Sequence, residues 1–164
     1  MSNMEIISKI KSWRDVAKDY EDYFIKFALE YFVFNALLRI TYFSNRDSVR
    51  SSFFDRNLID RLKQDSECKN YILKNRKEWI NEFKEELDRK PLKNLTRNKK
   101  LRFLRLESLE DWDNLVEGVY WIRNNLFHGY KSPGDVRDQR LVKIGYHLLS
   151  GFNDYMLKKV QEGD

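Results

Sequence analysis

The chain has little of what staples or punctuates a fold: among 164 residues there are one Cys, two Pro, six Gly and two His. A lone cysteine, Cys68, can neither close an intrachain disulfide nor supply a multi-cysteine zinc site. Cysteine use this sparse leads us to expect an intracellular, cytoplasmic protein. His147 has no carboxylate or Cys at a metal-ligand spacing, and no metal or cofactor is expected. So few glycines and prolines exclude a collagen-like or glycine-rich chain. No repeat or Gly/Ser linker interrupts the sequence, which predicts a single domain over 1–164. Lys9 and Lys11 are not followed by an apolar segment, so no secretory signal is read there. The most apolar stretch, Phe27 to Phe43, is broken by Glu30 and Arg39 and reads as a buried helix rather than a membrane span.

What the chain does have is aromatic bulk and charge. Eleven Phe, nine Tyr and four Trp supply large apolar side chains for a core or an interface. A chain of this length buries roughly two-thirds of its unfolded surface, enough to fold without staples. The formal net charge is +5, and it is unevenly spread. Arg89, Lys90, Lys93, Arg97, Lys99, Lys100, Arg102 and Arg105 fall in one segment without an acidic residue. Such a run is a footprint for a nucleic acid or other polyanion, and Lys93, Arg97, Lys99, Lys100 and Arg102, with Lys131, are its expected backbone contacts. The alternative is a solvated loop or helix face.

Periodicity predicts an all-α bundle of four to six helices. Tyr20, Phe24, Phe27, Tyr31, Phe34, Leu38 and Tyr42 recur at helical steps and place a long helix over Arg14 to Phe43. A second stripe, including Phe32, Val33, Leu37 and Ile40, makes its latter half apolar almost all round, so it needs cover from the bundle or from a second subunit. Asn35 lies inside this stretch, where a buried amide either finds partners or costs about 1–3 kcal/mol, and it can support a site. Further helices are expected over Ser48 to Lys63, Glu67 to Leu87, and from Ser108 as N-cap to a stop at Gly129. A last helix should cover Val136 to Val160 after the turn Ser132–Asp135. No strand is expected, and the basic segment reads as a connector. A helix-turn-helix DNA reader is disfavoured, because no short turn joins two helices with a basic recognition face.

Chemistry concentrates in Trp121-Ile122-Arg123-Asn124-Asn125-Leu126-Phe127-His128-Gly129-Tyr130. A fixed cation, two amides and a titratable imidazole closing a helix are the groups a phosphodiester requires. His147, between Tyr146 and Leu148 in the last helix, reads as structural. The string Arg-Asn-Asn-x-x-His-Gly closing a long helix, with a tight turn, Arg137-Asp138 and a final helix after it, resembles the HEPN domain family (higher eukaryotes and prokaryotes nucleotide-binding). The first-helix sequence FALEYFVFNALLRI, with Phe34-Asn35, is also similar to that of small stand-alone prokaryotic HEPN proteins of the abortive-infection type. Together these segments cover about half the chain, whereas Asn45 to Leu106 carries no such likeness.

The resemblance implies a HEPN-like bundle and a metal-independent endoribonuclease that works as a homodimer, often as a toxin or phage-defence effector. It carries Arg123 and His128 over as catalytic residues and Asn124 as the residue orienting the site. Arg123, His128 and Tyr130 also meet the Arg-x4-His-x-Tyr spacing of a subgroup paired with a nucleotidyltransferase antitoxin, in which the Tyr receives AMP. An aromatic closing the turn onto the core is the preferred explanation of Tyr130. The resemblance also admits a non-catalytic module that binds a nucleotide, RNA or a protein partner. Helix geometry separates Arg123 from His128 by about 140° and roughly 7.5 Å along the axis. Three solutions are open: a helix distorted near Gly129, an Arg side chain curled round the helix, or a site shared by two subunits.

Overall fold

The computed structural model describes residues 2–42, 54–94, 103–129 and 131–163. Along these residues run α1 (Asn3–Asp19), α2 (Tyr23–Tyr42), α3 (Phe54–Gln64), α4 (Ser66–Asn75), α5 (Lys77–Arg89), β1 (Leu92–Lys93), β2 (Phe103–Leu104), α6 (Trp112–Phe127) and α7 (Val136–Glu162). The all-α bundle is as expected, with several boundaries redrawn. None of its described helices is long and apolar enough to cross a membrane.

The long first helix is two helices. α1 opens on a capping box in which Ser2 Oγ accepts from the Glu5 amide and Glu5 Oε2 accepts from the Ser2 amide, satisfying two otherwise orphaned donors. The helical aromatic spacing runs straight across the break, but Asp22 interrupts the backbone: its carboxylate accepts from the amides of Phe24 and Ile25 at 2.8 and 3.2 Å and restarts the chain as α2. The helix expected from Glu67 to Leu87 is likewise two, separated at Arg76, whose backbone leaves helical values at φ −130°. There the guanidinium reaches Asp154 at 2.8 Å and the His147 carbonyl at 3.2 Å. That long-range tie overrides a local pattern that would have continued the helix.

A short antiparallel ladder, Leu92 opposite Leu104 and Lys93 opposite Phe103, corrects the expectation of no strand and brings the two ends of the basic connector together. At α6 the N-cap is Asp111 rather than Ser108. Its carboxylate accepts from the amides of Asn114 and Glu107, while Ser108 Oγ closes a smaller turn with the Glu110 amide. Residues 48–53, where the third helix was expected to begin, lie outside the described residues.

α2 is the central element, flanked by α1, α3 and α7, and α7 also packs on α4, α5 and α6. Phe27, Phe34, Phe83 and Phe152 are fully buried, each contributing about 1.5–3 kcal/mol relative to exposure. The bundle therefore covers most of α2, but Ile25 and Phe32, seven residues apart and so on one face, remain 41% and 56% exposed. A polar network crosses the otherwise apolar interior. Buried Glu30 accepts from Arg14 Nε at 2.8 Å and from Asn153 Nδ2 at 3.1 Å, and Arg14 also pairs with Asp154 at 2.7 Å.

Candidate functional site

Arg123, Asn124 and His128 occupy the last turn of α6 and its C-cap. The helix stays regular to its end, since the His128 amide donates to the Asn124 carbonyl at 3.1 Å. The chain then turns away through Gly129, whose φ of 75° lies in the left-handed region that glycine adopts without steric penalty. This bend comes after His128, so it does not swing the imidazole towards Arg123. Of the three solutions open in the sequence, the distortion near Gly129 is present but falls beyond the histidine, so it does not bring the two side chains together.

The surroundings of Arg123 are specific. Its guanidinium carbon sits 5.1 Å from the Tyr31 ring centroid and 4.9 Å from that of Phe127, and the two rings meet edge to face at 5.6 Å. Cation–π contacts of this kind contribute about 0.5–2 kcal/mol. Arg123 Nη1 donates to Asn124 Oδ1 at 2.8 Å, so the arginine and the following amide form one unit, with Asn124 largely buried. Arg123 Nε is buried without a hydrogen-bond partner among the described residues. Arg14, Arg56, Arg76 and Arg137 each hold a carboxylate, whereas Arg123 holds none among the described residues. The cation is therefore fixed by rings and an amide, with its charge left unbalanced. Tyr31 feels it: burial pushes the phenol up, and Arg123 pulls it partly back.

Asn35 lies one turn beyond Tyr31 on α2, so the two share a helix face. Its Oδ1 is buried and has no partner, and the expected compensating hydrogen bond is absent among the described residues. His128 is exposed at the end of α6, while Arg123 is held on the side of the helix that meets Tyr31. Asn125 is 2% exposed and points elsewhere, its Nδ2 donating to the Lys93 carbonyl at 2.9 Å. It fastens β1 to the helix that carries the motif.

The basic residues divide. Lys93 and Lys131 line one pocket together with Lys90 and Asn125, whereas Arg97, Lys99, Lys100 and Arg102, like Tyr130, lie outside the described residues. Lys131 is not part of an exposed basic face: its side chain is 4% exposed and its Nζ lies 3.1 Å from Asp138 Oδ1. His147 stacks on Trp79 with centroids 3.7 Å apart. Burial first, then Lys143, Arg76 and Lys26, pull its pKa down to about 4, so it is a neutral packing ring at neutral pH. Sequence reasoning does not single out Tyr31 or Phe127 for the site. Phe127 is within its reach, lying four residues after Arg123 and so on its face, but the contact with Tyr31 spans two helices. Compared with family models, curated proteins and solved structures, the chain matches none of them.

Proposed function

We propose that this chain is an endoribonuclease of the HEPN kind, with Arg123 as electrostatic catalyst and His128 as proton carrier. The observation that carries the reading is the half-buried Arg123 guanidinium, aromatic-flanked and bonded to Asn124, with no carboxylate among the described residues to balance it. A cation held in one orientation, still partly open to solvent and left without a carboxylate, is suited to an anionic ligand, because an anion can reach it and pair with it. In the reaction the RNA 2′-OH attacks the adjacent phosphorus and its proton leaves by way of an imidazole. The 5′-oxygen departs with a proton, leaving a 2′,3′-cyclic phosphate and a 5′-hydroxyl. Arg123 stabilises charge on the non-bridging oxygens, as preorganised donors do in such steps.

Because Arg123 and His128 sit on different sides of α6, the reading is of a homodimer in which each phosphate meets Arg123 of one chain and His128 of the other. The exposed Ile25 and Phe32 on α2 supply an apolar face for that contact. The separation of the two side chains also favours a second reading. A chain that stays monomeric holds an anion at Arg123 without cutting it, as a nucleotide- or RNA-binding module, and an antitoxin partner belongs with either reading.

The test incubates end-labelled single-stranded and transfer RNAs with the protein in excess EDTA, beside Arg123→Ala and His128→Ala. Cleavage by the parent alone, with cyclic-phosphate ends and a mass of two chains in solution, is the expected result. Equal cleavage by all three proteins, or none by any, overturns the ribonuclease reading.

A further inference from the structure

Beside the motif lies a pocket of about 170 Å3, formed where α5 passes into β1 and meets the start of α7. Four cations and two carboxylates, Asp135 and Asp138, line it, and the partners of the cations differ. Arg137 is fully engaged, donating to Glu86 Oε1 and to the carbonyls of Glu86 and Lys90, so it is structural. Lys131 makes one hydrogen bond, to Asp138 at 3.1 Å, and the same carboxylate also accepts from the Ser132 amide at 2.9 Å. An ammonium has three donors, so two of those on Lys131 have no protein acceptor among the described residues although the side chain is 4% exposed. Lys90 is exposed and has no ion pair there, and Lys93 Nζ faces the Phe103 ring, at 5.4 Å. Burial pushes the Lys131 pKa down against the pull of Asp138, a penalty that an anion in the cavity would relieve.

The neighbours of these lysines are those a nucleotide uses. Phe103 is 57% exposed and offers a face to a base, as aromatic platforms do in single-strand binding. Asn125 contributes to the lining and belongs to the same helix as Arg123. On that helix His128 stands about 60° round from Asn125 and one turn further on, so a nucleotide in the pocket would lie next to the imidazole.

We infer that this pocket is a nucleotide subsite flanking the scissile bond, in which Lys90, Lys93 and Lys131 take a phosphate group and Phe103 stacks the adjoining base. The inference rests on the ribonuclease reading for the word scissile; the phosphate chemistry stands independently of it. The recess has room for the phosphate group, and the base and the rest of the strand would lie outside it, over Phe103 and the neighbouring surface.

The test is fluorescence anisotropy with a labelled 2′-O-methyl RNA oligonucleotide, which cannot undergo 2′-OH attack, so binding is read apart from cleavage. Lys90→Gln/Lys93→Gln changes only outward-facing or ring-facing ammoniums, and Lys131→Met is the buried variant; thermal melts confirm that each is folded. The double variant is expected to weaken binding about tenfold at low salt. It should also lower the slope of log affinity against log salt by about 0.7 for each phosphate no longer neutralised. Phe103→Ala is expected to weaken binding several-fold with an unchanged salt slope. Unchanged affinity in all three variants overturns the subsite. A competition arm with 5′-AMP separates the sources of phosphate: if AMP saturates the pocket in a Lys131-dependent way while oligonucleotide binding ignores the variants, the pocket serves a free nucleotide and the RNA subsite is overturned. Loss of oligonucleotide binding in the variants, with no cleavage of ordinary RNA even by the parent, leaves the subsite standing and removes the ribonuclease reading alone.

Discussion

Replacing Glu30 with Gln should destabilise the bundle by about 2–3 kcal/mol, because the charge it removes is one that two helices are built around. Glu30 is 1% exposed, and its Oε1 accepts from Arg14 Nε at 2.8 Å and Asn153 Nδ2 at 3.1 Å. Breaking one side of a buried pair usually costs about 3–5 kcal/mol because the other charge is left desolvated. Here Arg14 keeps Asp154 at 2.7 Å, which is partly exposed, so the cost falls at or just below the lower end of that range. Glutamine preserves volume and one acceptor, so no cavity adds to the effect. For a domain of this size 1 kcal/mol moves Tm by roughly 2–4 °C, which puts Glu30→Gln about 4–12 °C below the parent. Urea unfolding followed by circular dichroism should show the midpoint falling with the slope unchanged, the mark of altered stability rather than altered compactness. Glu30→Leu should be worse, because Arg14 loses the acceptor that glutamine keeps and Asn153 Nδ2 is left with the Glu30 backbone carbonyl alone, at 3.0 Å. Arg14→Met added to Glu30→Leu should recover part of the loss, since apolar replacements of a whole pair are often tolerated. If Glu30→Gln lies within about 0.5 kcal/mol of the parent, or the double variant is as unstable as the sum of its parts, the network is not a coupled unit and the reasoning fails.

Two other predictions concern stability. His147 has a folded pKa of about 4 against roughly 6.5 in an unfolded chain. Between those values the unfolded chain takes up a proton that the folded one refuses, so the contribution of His147 is complete above about pH 6.5 and lost as pH falls towards 4. The Tm difference between the parent and His147→Gln should therefore shrink or reverse across that window, and a constant difference from pH 7.5 to 4.5 would contradict it. At Gly145 an added Cβ would stand 2.7 Å from a ring carbon of Phe27, itself fully buried. Overpacking of about 1–3 kcal/mol should exceed the gain of about 0.8–1 kcal/mol from alanine's helix propensity, so Gly145→Ala lowers Tm. Gly129→Ala meets nothing within 4 Å but has φ 75°, and any loss there is purely of backbone origin; a Tm equal to the parent's would show that the turn relaxes.

Sequence periodicity carried the fold where helices are long and bury one face. α6 and α7 lie close to their expected limits because Trp112, Leu115, Val119 and Ile122, then Leu141, Ile144, Leu148 and Phe152, are spaced by the helical repeat, and these side chains are buried. It failed where a single polar group overrides the repeat. The Tyr20 to Phe24 spacing is helical, yet the Asp22 carboxylate captures two amides there and starts a new helix. Likewise Arg76 breaks α4 from α5 by reaching Asp154, far away in sequence and so invisible to any local window. The two-residue strands were illegible for the same reason: their pairing depends on where α5 and α6 bring the chain, not on alternation within Leu92–Lys93.

For the candidate site the sequence places Arg123, Asn124 and His128 at the end of one helix but does not show what surrounds each of them. Spacing around the helix already separates Arg123 from His128, and the structure makes that separation chemical by clasping the arginine between Tyr31 and Phe127. The clasp also explains why Asn124 is more than a neighbour. The two rings hold the guanidinium without a directional bond, so Asn124 Oδ1 is what fixes its rotation. Replacing Asn124 with Leu should therefore leave the cation in place but let it turn, lowering kcat for RNA cleavage far more than it raises KM, if Arg123 acts on the transition state. An Asn124→Leu protein that loses RNA affinity and turnover in equal measure would instead place the amide on the substrate itself, and Arg123 would then be the half of the pair that merely holds it.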